Sequence, residues 1–219
     1  MKKRVILFDL DGTLTDSGPG IKNCVKYALE KKGYEPLSEK TLTSFIGPPM
    51  VQQFQEVLAV SREEAEDLVH TFRERYAVTG IFENSLYPGI KELLTALKKK
   101  GFLLGVTSAK PMRFVDRVTE HYEIAAFFDT IQGALSDNEK PDKTEVIARS
   151  LKALGYENDR ELVSLVGDRK YDAKGAALSK IGFYGAGWGY AAKGELEEAG
   201  AQKIVADAEE LLKLICEDK

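Results

Sequence analysis

The chain has 219 residues, 43% hydrophobic and 30% charged, and its 31 Lys and Arg against 35 Asp and Glu leave a formal charge of −4. That length suits one large domain, or a core with a smaller attachment, and excludes a long multidomain assembly. The acidic balance offers no positive field for a nucleic-acid polymer, and no apolar run approaches the ~18 residues that span a bilayer, so neither nucleic acid nor membrane is expected as a partner.

Residues 5–10 (Val5-Ile6-Leu7-Phe8-Asp9-Leu10) read as a buried strand that runs directly into Asp11, Gly12 and Thr13. The basic start Lys2-Lys3-Arg4 resembles the opening of a signal peptide, but the apolar stretch behind it meets Asp9 and Asp11 within a few residues, which predicts a cytoplasmic protein. From 16 to 84 the pattern is helical throughout, at 20–32, 38–45, 49–58 and 61–78, with turns at Gly33-Tyr34-Glu35-Pro36 and Gly47-Pro48-Pro49. Ser61 followed by Glu63 and Glu64 marks a capped helix start, and Lys31-Lys32 ahead of Gly33 marks a helix end where cations complement the dipole. A helical block inserted after the first strand predicts a small second domain over 16–84, joined to the core near 15–19 and 80–88, where Gly and Pro concentrate.

Beyond it, strands at 103–107, 130–131, 162–166, 182–186 and 203–205 alternate with helices at 89–100, 111–121, 143–154, 172–179, 194–199 and 208–216. Lys98-Lys99-Lys100 before Gly101 is a second basic helix end. The alternation predicts βα units and an α/β fold: a Rossmann-like parallel-sheet core made of 1–15 and 85–219.

The residue inventory narrows the chemistry. Cys24 and Cys216 stand far apart with no CxxC and no companion His, so they read as free thiols in a reducing compartment. His70 and His121 each lie in a polar helical stretch without a Ser, Cys or second His at useful spacing, which argues against a Ser-His-Asp or His-metal mechanism. Catalysis is left to carboxylates. Asp9 and Asp11 fall where open α/β sheets bind ligands, outside the carboxyl end of a strand, and alternation along the strand would aim both the same way. Two carboxylates held together require a cation or a shared proton. A second pair, Asp168 and Asp172, follows the apolar run Val163-Ser164-Leu165-Val166-Gly167, and four carboxylates without His or Cys suit a hard ion such as Mg²⁺. Thr107 and Ser108 end another strand with hydroxyls, and Lys140 and Lys143 lie just before or at a helix start. Metal, lysine, hydroxyl and helix amides converging on one point would suit a phosphoryl group.

One competing pattern is Gly187-Trp188-Gly189-Tyr190-Ala191-Ala192, a GxGxxA run with Asp207 further on, as in dinucleotide folds. Only 27 residues follow Ala192, too few for the rest of such a domain, and Trp188 and Tyr190 would crowd a pyrophosphate. The segment reads instead as a late strand and loop beside the active site.

The order DxDGT, a strand ending in Thr or Ser, a Lys before a helix and then GDxxxD resembles the haloacid dehalogenase-like superfamily of phosphohydrolases over nearly the whole chain. The companion segments Phe45-Ile46-Gly47-Pro48-Pro49, Phe82-Glu83-Asn84-Ser85-Leu86-Tyr87-Pro88-Gly89 and Gly167-Asp168-Arg169-Lys170-Tyr171-Asp172 are similar to its phosphoglycolate phosphatase and 5′-nucleotidase-like branch. The resemblance implies a Mg²⁺-dependent hydrolase of a small phosphorylated metabolite. It implies Asp9 as the nucleophile that forms an aspartyl-phosphate, Asp11 as general acid and base, and Thr107 as a phosphoryl-binding hydroxyl, with Gly12, Thr13 and Ser108 beside the phosphoryl group. Lys143, or alternatively Lys140, would be the phosphate-binding lysine. Asp9, Asp168, Asp172 and Asp11, the last through its backbone carbonyl, would hold the metal. The helical block would be a specificity cap, with Gly47, Pro48, Gln52 and Gln53 facing the leaving group. A sugar phosphomutase of the same family, or a non-catalytic receiver module, are the alternatives; a dehalogenase would not need the metal-binding aspartates.

Overall fold

The computed structural model describes residues 4–136 and 141–217, so Lys140 lies outside the described residues. The elements are β1 Val5–Phe8, β2 Thr15–Asp16, α1 Gly18–Lys32, α2 Glu39–Thr43, α3 Met50–Leu58, α4 Arg62–Tyr76, β3 Ser85–Leu86, α5 Ile90–Lys99, β4 Leu103–Pro111, α6 Met112–His121, β5 Thr130–Ala134, α7 Lys143–Leu154, β6 Val163–Gly167, α8 Lys170–Ser179, β7 Gly182–Ala186, α9 Glu195–Glu198, β8 Ile204–Val205 and α10 Ala208–Glu217. The chain divides into two compact units, Met1–Thr15 with Leu86–Lys219, and Asp16–Ser85.

The first unit is α/β. Its six strands run in the order β5-β4-β1-β6-β7-β8, and the pairings are parallel. All four residues of β1 are completely buried, which is why its sequence is an unbroken apolar run rather than an alternation. On one face Val5 and Leu7 pack with Val163 and Leu165 of β6 and with Ile147 and Leu151 of α7. Burying side chains of this size stabilises the fold by roughly 1.5–3 kcal/mol each before conformational entropy is subtracted. Phe8 makes an edge contact with Phe128 at 6.5 Å.

Several strand boundaries differ from the sequence reading, β5 reaching Ala134 and β6 and β8 shifting by a residue, and two of the differences shape the site. The first strand stops at Phe8 instead of residue 10, because the Leu10 carbonyl accepts hydrogen bonds from the N–H groups of Leu14 and Thr15, each 3.0 Å, and the chain curls into a turn. β4 extends to Pro111 with a slip in its register against β5: Thr107 pairs with Gln132, but Pro111 pairs with Ala134. The extra residues between them form a bulge that redirects Ser108 to Lys110 away from the regular ladder.

The second unit holds α1 to α4, with α4 packed against α1 and α3. Ser61 caps α4 through a reciprocal pair, accepting from the Glu64 N–H while the Glu64 carboxylate accepts from the Ser61 N–H. Gly33 takes the left-handed conformation that ends α1 after Lys31 and Lys32. Phe45 and Phe54 meet edge to face at 4.9 Å in its core. Arg75 forms a two-pronged ion pair with Glu83, at 2.6 and 2.8 Å. Gln53, expected to face the leaving group, turns into this unit. It is buried on the inner face of α3, and its amide donates to Ser44 Oγ at 2.8 Å. Exposed Gln52 donates to Glu56 one turn along. Gly47 lies at φ 105° in the exposed turn between α2 and α3, followed by half-buried Pro48.

Cys24 and Cys216 are free thiols, and His70 and His121 are exposed on α4 and α6. No helix among the described residues is long and apolar enough to cross a membrane.

Candidate active site

The candidate site lies at the carboxyl ends of β1, β4 and β6. Asp9 leaves β1 with its N–H still donating to the Val166 carbonyl at 2.9 Å, which ties it to the neighbouring strand. Asp168 and Asp172 follow β6, Asp168 in the loop and Asp172 in the first turn of α8, where its Oδ2 accepts from the Arg169 N–H at 3.0 Å. One carboxylate oxygen from each of Asp9, Asp168 and Asp172 falls within 4.8 Å of the others.

Lys143, the first residue of α7, enters this group from the side. Its side chain is 6% exposed, and Nζ lies 3.0 Å from Asp9 Oδ1, 2.7 Å from Asp172 Oδ1 and 3.0 Å from the Thr107 carbonyl oxygen. Asp142 caps α7 by accepting from the Glu145 N–H, and that fixes where the Lys143 side chain leaves the helix. Burial alone would lower the Lys143 pKa, but Asp172 and Asp9 more than offset it and hold the ammonium above its ordinary value. Burial pushes Asp9 up to about 6, against the pull of Lys143 and with help from Asp172 and Asp11. Burial likewise raises Asp168 well above its ordinary value, reinforced by Asp172 and Asp9.

Asp11 takes a different direction. Because the strand ends at Phe8, alternation no longer aligns it with Asp9, and its carboxylate lies outside the three-carboxylate group. Both its oxygens accept from Lys110 Nζ at 2.8 Å, the lysine that the β4 bulge turns inward. Gly12 and Thr13, expected beside the substrate, both pack on Asp168. Gly12 has φ +85°, and a Cβ there would sit 2.1 Å from Asp168 Oδ2, so the position accepts only glycine. The Thr13 hydroxyl donates to Asp168 Oδ1 at 3.3 Å. The Thr107 hydroxyl is fully buried, 2.7 Å from Ser150 Oγ, and Ser108 Oγ accepts from the Lys110 N–H at 3.3 Å.

The loop after β7 closes over the same residues. The Tyr190 N–H donates to Asp168 Oδ2 at 2.8 Å, and the Trp188 indole N–H donates to the Thr13 carbonyl at 3.1 Å. A Cβ on Gly189 would come within 2.2 Å of Asp168 Cβ. The GxGxxA run is thus a brace for Asp168 and the Asp11–Thr15 turn. Glu195 anchors its far end, accepting from Arg169 Nε, the Lys170 N–H and the Ala192 N–H.

These residues fit a divalent cation. The donor set is oxygen only, the preference of a hard ion. Two ammonium groups, Lys143 and Lys110, face four carboxylates in a setting where burial already opposes ionisation at Asp9 and Asp168. A bound cation would relieve that imbalance.

A parallel sheet with paired aspartates at its carboxyl edge, a buried lysine between them and GDxxxD at the next strand defines a class. Residues 6–186 match the haloacid dehalogenase-like hydrolase family, and the chain belongs to it. The chain is 36% identical over 202 residues to a 5′-nucleotidase of Pseudomonas aeruginosa, covering 92% of this chain and 90% of that protein. It is 32% identical to a phosphoglycolate phosphatase of Aquifex aeolicus, covering 85% and 86%. It is 36% identical to the tyrosine-protein kinase PtkA of Mycobacterium tuberculosis over 85% of this chain, spanning 63% of that longer protein. The solved structure of a predicted phosphatase from Clostridium acetobutylicum superposes with a TM-score of 0.91 at 37% identity, covering 99% of this chain and 100% of that one.

Lys110, Ser150, Trp188 and Tyr190 carry contacts in the site that sequence reasoning did not assign. Lys110 had a usable signal as a cation just past the predicted strand end, and Trp188 and Tyr190 lie in the GxGxxA run read as bordering the site; Ser150 is an ordinary residue whose partner becomes visible on folding.

Proposed function

We propose that this haloacid dehalogenase-like phosphatase hydrolyses a small phosphomonoester through a phosphoaspartate on Asp9, with Mg²⁺ held by Asp9, Asp168 and Asp172 and by the Asp11 carbonyl. The observation that carries the reading is the clustering of the Asp9, Asp168 and Asp172 carboxylates, with buried Lys143 paired to Asp9 and Asp172. When bound, the ion would supply the charge neutralisation that lets an anionic carboxylate approach an anionic phosphate. An Asp9 carboxylate oxygen forms a bond to phosphorus as the bond to the leaving oxygen breaks, and Asp11 gives that oxygen its proton. Asp11 then takes a proton from water, the water oxygen bonds to phosphorus, and the bond to Asp9 breaks to restore the carboxylate. Lys143 and the Thr107 hydroxyl hold the non-bridging oxygens, with Ser108 beside them. The helical unit Asp16–Ser85 is assigned the selection of the leaving group, through the exposed Gly47-Pro48 turn.

Mg²⁺ at about a hundred times its dissociation constant is expected to add ~2.7 kcal/mol of stability, which for a chain of this size raises Tm by about 5–10 °C. EDTA should reverse the shift and Asp168→Asn should abolish it; an unchanged Tm across a Mg²⁺ titration would remove the metal from the reading.

The function itself is tested with a panel of phosphoglycolate, nucleoside 5′-monophosphates and sugar phosphates, assayed for phosphate release with Mg²⁺ and with EDTA. The relatives named phosphoglycolate phosphatase and 5′-nucleotidase make the first two classes the expected substrates. Release from at least one member, lost in EDTA, is the expected result. No release from any of them by folded, Mg²⁺-loaded protein would overturn it.

A further inference from the structure

Thr107 is gripped twice by one helix. Lys143 opens α7 and donates to the Thr107 carbonyl, and Ser150, two turns further along, meets the Thr107 hydroxyl at 2.7 Å. Both Thr107 and Ser150 are buried, a setting in which a hydroxyl left without a hydrogen bond is costly. A hydroxyl has one proton and two lone pairs, so only one member of the pair can donate to the other. If Thr107 donated to Ser150, Thr107 would present only lone pairs to an anionic phosphoryl oxygen. If Ser150 donates, Thr107 keeps its own proton for the phosphoryl group, and accepting one hydrogen bond strengthens the one it gives.

Serine also needs a reason to be there. It is a poorer helix former than alanine, and a buried hydroxyl costs stability unless it is hydrogen-bonded. Alanine at 150 would suit the interior of α7 better if packing were the only demand.

We infer that Ser150 is a positioning residue for phosphoryl binding, donating its proton to Thr107 Oγ1 so that the Thr107 hydroxyl is oriented to donate to substrate. This rests on the proposed phosphoryl-binding role of Thr107, and a double-mutant cycle separates the two. In full-length, Mg²⁺-loaded protein, Ser150→Ala is expected to lower kcat/KM about fivefold to tenfold, the worth of one buried hydrogen bond, and to raise the inhibition constant of inorganic phosphate by a similar factor. In a Thr107→Val background the same substitution should change kcat/KM less than twofold, because the group it acts through is gone. Ser150→Cys, similar in size but a weak donor, should fall between serine and alanine; packing alone would leave it at the wild-type level.

Circular dichroism melts of each variant confirm folding before kinetics are compared. If Thr107→Val retains full activity, the role of Thr107 fails and the inference with it. If Thr107→Val is impaired but Ser150→Ala is harmless, or its effect multiplies undiminished in the double variant, or Ser150→Cys matches wild type, the Ser150 inference alone is overturned.

Discussion

Asp9→Asn is expected to lower kcat by about 10³-fold or more while leaving the protein at least as stable as wild type in metal-free buffer at pH 7.5. The activity loss follows from chemistry. An amide is a far weaker nucleophile toward phosphorus than a carboxylate, and no other carboxylate in the cluster can replace it: Asp168 is held by Thr13 and Tyr190, and Asp172 by Arg169 and Lys143. The stability half follows from linkage. Asp9 is pushed up to about 6 from its ordinary 3.8, so the folded chain binds that proton more tightly than the unfolded chain. Ionised Asp9 therefore costs folding stability, a cost that sets in as pH rises from the unfolded value through 6 and is complete above it. Asparagine keeps the volume and removes that charge, while Lys143 retains Asp172. A phosphate-release assay and a thermal melt on the same preparation check both halves. Full activity would remove Asp9 as nucleophile, and a fall of many degrees in Tm would show its charge to be stabilising. The expected trade of stability for reactivity is one that functional sites commonly make.

The parts of the site that were legible in the sequence are those set by strand-end chemistry. Four buried apolar residues followed by Asp9, and Val163–Gly167 followed by Asp168, announce buried strands that deliver carboxylates to one edge, because a parallel sheet places its strand ends together. What could not be read was the direction each side chain takes after the strand ends. Asp11 was expected to follow Asp9 by alternation, but alternation holds only while the strand lasts, and the Leu10 turn ends it. Thr13 and Gly12 belong to a motif whose glycine and hydroxyl suggest ligand contact, yet the nearest demand on both is the packing of Asp168. Gln53 was misread because a polar side chain near a turn can cap an interior hydroxyl as readily as it can face solvent, and the Phe54 side of α3 is the buried one. Ser150 was silent for a different reason, and Trp188, although in a loop read as bordering the site, gave no sign of its partner. Their partners are 43 and 175 residues away in sequence, and a single Ser or Trp carries no period or spacing that could announce a particular long-range contact. The order β5-β4-β1-β6-β7-β8 is what brings them there.

Lys143→Met should be the most damaging single change to the fold and the site together. The side chain is almost fully enclosed, and its ammonium is the charge that Asp9 and Asp172 share. The raised Lys143 pKa means that its contribution is fully present below the unfolded value of 10.5 and would be lost only as pH rises through the folded one, so at pH 7–9 the cation acts at full strength. Methionine retains most of the stem but leaves buried carboxylates uncompensated, a change that costs about 3–5 kcal/mol when one partner of a buried ion cluster is removed. For a chain of this size that is a fall in Tm of about 6–20 °C, with kcat/KM lower by about 10²-fold or more. Arginine should not restore activity, because a planar fork cannot replace a point charge that reaches two carboxylates and a carbonyl at once. Combining Lys143→Met with Asp9→Asn removes a charge of each sign, and part of the lost stability should return although activity does not. Melts of the single and double variants decide the matter. If the double variant is as unstable as Lys143→Met alone, the lysine supports the fold through packing of its stem and not through the charge it places between Asp9 and Asp172.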